Sequence, residues 1–254
     1  MRKERRAALI PYLTAGYPTL DVSRKALRMV AEAGADIVEV GVPFSDPLAD
    51  GPIIQRSSQA ALDQGMTLPK VLDLIRDVRL AVPVIVFSYL NPIMAYGMER
   101  FARDARSAGV SGVLLTDLPA GEDPEIEATV QNAGLDRIRL IAPTTEGARL
   151  EEAVRGANGF LYLISRLGVT GARTQLDGQS EQLVARVRKV SDLPVAVGFG
   201  LATGEQARTV ARIADGVVVG SALVERLGQG LEPARALITE LRAAVQGPFD
   251  RRKP

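Results

Sequence analysis

Short apolar runs alternate along this chain with longer amphipathic stretches. Runs rich in Val, Ile and Leu recur at Leu9 to Thr14, Ile37 to Val40, Pro83 to Phe87, Gly112 to Thr116, Arg137 to Ile141, Phe160 to Ile164, Pro194 to Val197 and Gly216 to Val219. Their length and β-branched content predict strands. Between them, Val22, Ala26, Met29, Val30 and Ala33 recur at helical spacing, as do Leu183, Val184, Val187 and Val190, with Arg, Lys and Glu on the opposite face. Ala-Gly pairs at Ala33-Gly34, Ala108-Gly109 and Ala133-Gly134 fall where those helices should end, since glycine accepts the left-handed conformation of a C-terminal cap. Strand then helix, repeated, means parallel strands joined by crossovers.

Eight such units in 254 residues suit a closed (β/α)8 barrel of the TIM type, an α/β fold, better than an open doubly wound sheet. No GxGxxG follows the first strand, so the dinucleotide signature of the open sheet is missing. No Pro-rich or Ser-rich linker divides residues 1–254, and one domain is expected, with 247–254 as a loose C-terminal tail.

Charge and composition narrow the chemistry. Lys and Arg total 31 against 30 for Asp and Glu, which gives no field favouring nucleic acid or an anionic membrane. The chain holds no cysteine and no histidine, which removes disulfides, thiolate nucleophiles, Ser-His arrangements and most zinc sites. Acid and base work must then fall to carboxylates, Lys or Tyr, and no metal site is expected. No stretch approaches the roughly 20 apolar residues that span a bilayer. Met1 to Ala8 is basic without a signal-peptide core behind it, so a cytoplasmic location is expected.

Reactive groups of such barrels sit at the carboxyl ends of strands and in the loops that follow. In Asp36-Ile-Val-Glu-Val40, alternation sets Glu39 on the face of Ile37, opposite Val38 and Val40. If the valines face the helices, Glu39 points into the barrel, where lost hydration raises its pKa and suits it to proton exchange near neutrality. The alternative is a structural acid paired with Arg or Lys. The loop Gly41 to Pro52 brings a second carboxylate, Asp50, although Asp-Gly also forms simple turns, and Asp46 before Pro47 suits an Asx turn. Glycines after the last two strands, Val197-Gly-Phe-Gly200 and Val219-Gly-Ser221, would let backbone NH groups approach an anion at the usual phosphate position of this fold. The long polar connection Ser165 to Gly178 reads as a mobile lid or as a loop without function.

Taken together, these segments resemble the tryptophan synthase alpha-subunit family. The resemblance rests on Glu39-Val-Gly-Val-Pro-Phe-Ser-Asp-Pro-Leu-Ala-Asp-Gly-Pro-Ile-Ile-Gln55, Pro11-Tyr-Leu-Thr-Ala-Gly-Tyr-Pro18, Ser88-Tyr-Leu-Asn-Pro92, Asp117-Leu-Pro119, Ser165 to Gly171, Gly198 to Gly200 and Gly220-Ser221, in the family's order over nearly the whole chain. It implies retro-aldol cleavage of indole-3-glycerol phosphate to indole and glyceraldehyde 3-phosphate, a carbon-carbon lyase step of tryptophan biosynthesis, with Glu39 and Asp50 as the catalytic pair. Phosphate contacts would fall on Gly171, Phe199, Gly200, Gly220 and Ser221. Tyr12, Phe87, Tyr89, Leu114, Ile141 and Tyr162 would form the indole pocket, with Thr170 on the lid closing against Asp50; filling of the barrel is the plainer role for each apolar one.

The resemblance also implies a beta-subunit partner in an alpha2beta2 heterotetramer, facing Pro43 to Asp50 and Asn91 to Tyr96. Pyridoxal phosphate would belong to that partner, with no cofactor in this chain. One departure is visible: the family begins with an amphipathic helix before the first strand, whereas only Met1 to Ala8 precede Leu9 here. Two other readings stay open: an enzyme of the same fold that handles a phosphorylated substrate without a partner, and a barrel that binds a phosphate ligand only to regulate or scaffold. Retention of both Glu39 and Asp50 argues against the second.

Overall fold

A computed structural model describes residues 6–164, 178–198 and 200–247. Its strands are β1 Ala8–Thr14, β2 Val38–Gly41, β3 Val84–Ser88, β4 Gly112–Leu115, β5 Asp136–Ile141, β6 Leu161–Ile164, β7 Val195–Gly198 and β8 Gly216–Val219. Each pairs in parallel with the next, and β8 returns to β1, closing the barrel. The expected runs and the observed strands differ by at most one residue at either end. That agreement follows from burial on both faces, which makes strands of a closed parallel barrel continuously apolar and easy to delimit.

Alternation divides each strand between two cores. Ile10, Ile85, Leu114, Ile138, Tyr162, Ala196 and Val218 fill the barrel interior, while Val38, Val40, Val86, Val113, Val197, Val217 and Val219 pack outward against the helices. Small residues make room for large ones inside. A methyl added at Gly216 would sit 3.1 Å from both Ala196 Cβ and Ile10 Cδ1, so that layer has no spare volume.

The helices carry their own local signals. Thr19 caps Leu20–Glu32, its hydroxyl accepting from the Val22 amide, and Gly34, Gly109 and Gly134 all take positive φ just beyond helix ends, as the Ala-Gly pairs predict. Thr203 and Gln206 form a reciprocal capping box on Gly204–Ala211. At the amino-terminal end of the barrel, Asp36 takes a bidentate pair from Arg6 at 2.7 and 2.9 Å, a bond from Arg242 at 3.1 Å and the Leu9 amide at 2.9 Å. This clamp ties the start of β1 and β2 to the last helix, Leu231–Ala244. The arginines and the Leu9 amide outweigh the cost of burial and hold the Asp36 carboxyl below its ordinary range.

Among the described residues no helix is long and apolar enough to cross a membrane.

Candidate active site

Glu39 lies at the second position of β2, in register with Tyr12 of β1 and Ile85 of β3. Val38 and Val40 pack outward and Ile37 inward, so the alternation expected from sequence places Glu39 on the interior face. Its side chain is fully buried, and neither carboxyl oxygen has a hydrogen-bond partner among the described residues. Among the described residues no cation neutralises it. Burial alone pushes its pKa to about 8, so the group carries its proton at neutral pH. A paired structural acid would show an Arg or Lys at its oxygens.

Asp50 arrives from the other direction, in the loop that follows β2. The Asp50 amide bonds Pro47 O at 3.0 Å, Gln55 Nε2 bonds Asp50 O at 2.9 Å, and Gly51 and Pro52 start the helix Pro52–Asp63 immediately afterwards. Tyr89, just beyond β3, holds the tip of this loop. Its hydroxyl accepts from the Ala49 amide at 2.9 Å and donates to Asp50 Oδ2 at 3.1 Å. Burial raises the Asp50 pKa to about 6 while the Tyr89 bond lowers it, which leaves Asp50 mostly ionised at pH 7. Two carboxyl groups on one cavity therefore hold opposite protonation states, the arrangement that separates a proton donor from a charge stabiliser.

Both acids line a cavity of about 270 Å³, close to the ~300 Å³ at which pockets for small organic ligands begin. Tyr12, Phe87 and Tyr162 give it an aromatic lining, and Gly200, Gly220 and Ser221 line it as well, with Gly220 against the base of Tyr12. Tyr12 and Phe87 meet edge to face, 5.3 Å between centroids at 79°. The Tyr162 hydroxyl rests where a side chain on Gly198 would go, so only glycine fits beside it. Burial raises both phenols above their ordinary range, and nearby carboxylates raise them further, chiefly Asp50 for Tyr12 and Glu39 for Tyr162; both stay neutral donors.

Gly200 has φ of 74°, a left-handed conformation that glycine adopts without strain. Gly220 precedes Ser221–Gln229 with no side chain capping the helix, so the first amides and the positive end of the helix face the cavity mouth. Such an end suits an anion.

The structure thus brings together Glu39, Asp50, Tyr12, Phe87, Tyr162, Gly200, Gly220 and Ser221. Tyr89 stands behind Asp50 and positions it instead of lining the wall. Leu114 packs lower down, in the barrel interior. Ile141 is not brought to the cavity: Ile138 and Leu140 take the interior face of β5, and alternation turns Ile141 outward with Arg137 and Arg139. Its assignment to an indole pocket is therefore corrected. Thr170, Gly171, Phe199 and most of the proposed lid, Ser165 to Gly178, lie outside the described residues, as does the tail beyond Gly247. Sequence reasoning missed Ile53, Ile54, Leu201, Ala202, Ala222 and Glu225 on the wall. Glu225 could have been found from helical spacing, since it stands one turn beyond Ser221.

Comparison with known proteins bears on this site. The family described as tryptophan synthase alpha chain matches residues 1–252. A tryptophan synthase alpha chain of Geobacter sulfurreducens is 50% identical over 227 residues, 89% of this chain and 86% of that protein. One from Methanosarcina mazei is 43% identical over 251 residues, 98% and 92% of the two chains. A solved tryptophan synthase of Mycobacterium tuberculosis superposes with a TM-score of 0.91 at 43% identity, covering 97% of this chain and 95% of that one. A solved tryptophan synthase alpha subunit of Legionella pneumophila gives 0.88 at 36% identity, over 96% and 94%.

Proposed function

From the premise that this chain belongs to the tryptophan synthase alpha chain family, and so is an enzyme subunit, we propose that it cleaves indole-3-glycerol phosphate to indole and glyceraldehyde 3-phosphate by carboxylate acid-base catalysis. The observation that carries the reading is the pairing on one cavity of a buried, protonated Glu39, without a hydrogen-bond partner among the described residues, with an ionised, hydrogen-bonded Asp50.

In the forward reaction the indole carbon that bears the side chain takes a proton from Glu39. That carbon becomes tetrahedral and the ring nitrogen gains positive charge. Asp50, accepting from the indole N–H, stabilises the charge as it develops. The carbon-carbon bond then breaks, its electron pair returning to the ring and restoring aromaticity. The adjacent linker hydroxyl becomes the aldehyde and gives its proton to the Glu39 carboxylate, which is thereby ready for another turn. Atoms and charge balance without a redox partner. The phosphate rests on amides at Gly200, Gly220 and Ser221, with Gly171 and Phe199, both outside the described residues, as the further proposed contacts and Thr170, likewise outside them, as the proposed lid residue closing against Asp50.

A beta subunit carrying pyridoxal phosphate would receive the indole. Two exposed apolar residues support a docking face near the cavity: Leu48 in the Asp50 loop is 93% exposed, and Met94 in Leu90–Tyr96 is 51% exposed. Indole release from indole-3-glycerol phosphate, measured for the wild type and for Glu39→Gln with and without a beta subunit, tests the proposal. Loss of turnover in the variant and acceleration of the wild type by the partner are expected. Near-normal turnover by Glu39→Gln would end the acid-base assignment.

A further inference from the structure

Among the described residues that line the cavity there is no Lys and no Arg. Its acidic side chains are Glu39, Asp50 and, on the helix Ser221–Gln229, Glu225. From the described residues, an anion at Gly200, Gly220 and Ser221 is therefore held by backbone amides and a helix end, with no cation beside it and a carboxylate close by.

Glu225 stands four residues after Ser221, so the two share one face of the helix, with Cβ atoms about 6 Å apart. Helical side chains lean toward the amino terminus, which carries the Glu225 carboxylate back over the turn that begins at Ser221. Both residues line the cavity. Glu225 is exposed, and among the described residues no ion pair or hydrogen bond draws its side chain elsewhere. Helix stability does not account for an acid there: Glu225 is the fifth residue of the helix, and the favourable effect of the dipole on an acid fades within the first turn.

We propose that Glu225 sets the charge preference of the anion end, its carboxylate opposing a phosphate so that phosphate esters are held loosely and the phosphorylated three-carbon product leaves readily. The inference rests on the reading that this end takes the phosphate of indole-3-glycerol phosphate, and it adds how tightly that group is held. A phosphate monoester carries nearly two negative charges at neutral pH. Across about 8 Å of wet cavity mouth, one opposing carboxylate weakens its binding about threefold at low salt.

The test measures dissociation constants of glycerol 3-phosphate and of indole by titration calorimetry. The full-length wild type, Glu225→Gln and Glu225→Lys are compared at ionic strengths of about 10 mM and about 1 M. At low salt, glycerol 3-phosphate should bind about threefold tighter to Glu225→Gln and about tenfold tighter to Glu225→Lys. At high salt the differences should shrink below about 1.5-fold. Indole carries no charge, so its affinity should stay equal in all three proteins, which reports an intact, folded cavity. Equal affinities for glycerol 3-phosphate at low salt, a gain that persists at high salt, or a gain that extends to indole would overturn the proposal while leaving the substrate reading in place. A wild type that releases no indole from indole-3-glycerol phosphate and binds no glycerol 3-phosphate would refute that reading, and the proposal with it.

Discussion

Replacing Glu39 by glutamine should stabilise the protein in a pH-dependent way while it disables the chemistry. Burial raises the Glu39 pKa from 4.5 to about 8. The sign follows from linkage: between those values the folded state keeps a proton that the unfolded chain has released, so the unfolded state binds fewer protons and stability falls as pH rises. Glu39 thus contributes its full share below pH 4.5, and that share is lost progressively until the folded group ionises near pH 8. The slope is about 1.4 kcal/mol per pH unit, so going from pH 5 to pH 7 costs the wild type about 3 kcal/mol through this group alone. Glutamine does not titrate and removes that slope. Urea unfolding of both proteins at pH 5, 6 and 7 reads the difference. With an m-value of about 3 kcal/mol/M, the midpoint of Glu39→Gln should gain roughly 1 M on the wild type across that range. Stability curves that stay parallel from pH 5 to 7 would refute the buried, uncompensated acid.

The active form holds Glu39 protonated and Asp50 ionised, so kcat/KM for indole release should be bell-shaped, with limbs near pH 6 and pH 8 belonging to the two acids as a pair; a profile flat from pH 5 to 9 would contradict this. Tyr89→Phe removes the bond that lowers the Asp50 pKa and the anchor of the Ala49 amide, so the acid limb should move up by about one pH unit, and activity at pH 6.5 should fall roughly threefold. An unmoved limb would deny Tyr89 its positioning role. Away from the cavity, Glu127 accepts from Arg137 at 2.8 Å, from Arg139 and from the Gly121 amide. Glu127→Ala strands two nearly buried guanidinium groups and should cost about 3–5 kcal/mol in denaturant unfolding, with the two limbs of the pH profile unchanged.

What the sequence disclosed and what it concealed divide along one physical line. Strand positions and the inward aim of Glu39 depend on local alternation, and Ile37, Val38 and Val40 carry it within a few residues. The glycines before Ser221 likewise announce a close backbone approach wherever they fall. Contacts between distant segments leave no such trace. Nothing near Asp50 reveals that Tyr89, 39 residues away, fastens its carboxylate and its loop. Ile141 misled for a related reason: Arg137 and Arg139 on β5 turn outward, and the Glu127 that makes this tolerable sits on a different element, the helix Pro124–Asn132. With the arginines on the outer face, Ile141 follows them by alternation. The bond between Thr14 and Ser57 is concealed in the same manner, because the two meet across 43 residues.

The central claim is a carboxylic acid that keeps its proton at neutral pH on a wall shared with Asp50. Infrared difference spectra between wild type and Glu39→Gln, collected from pH 5 to 9, read that proton directly through the carbonyl stretch of the neutral acid. The account predicts a band present at pH 7, absent from the variant and fading near pH 8. A band already gone by pH 6 would contradict it.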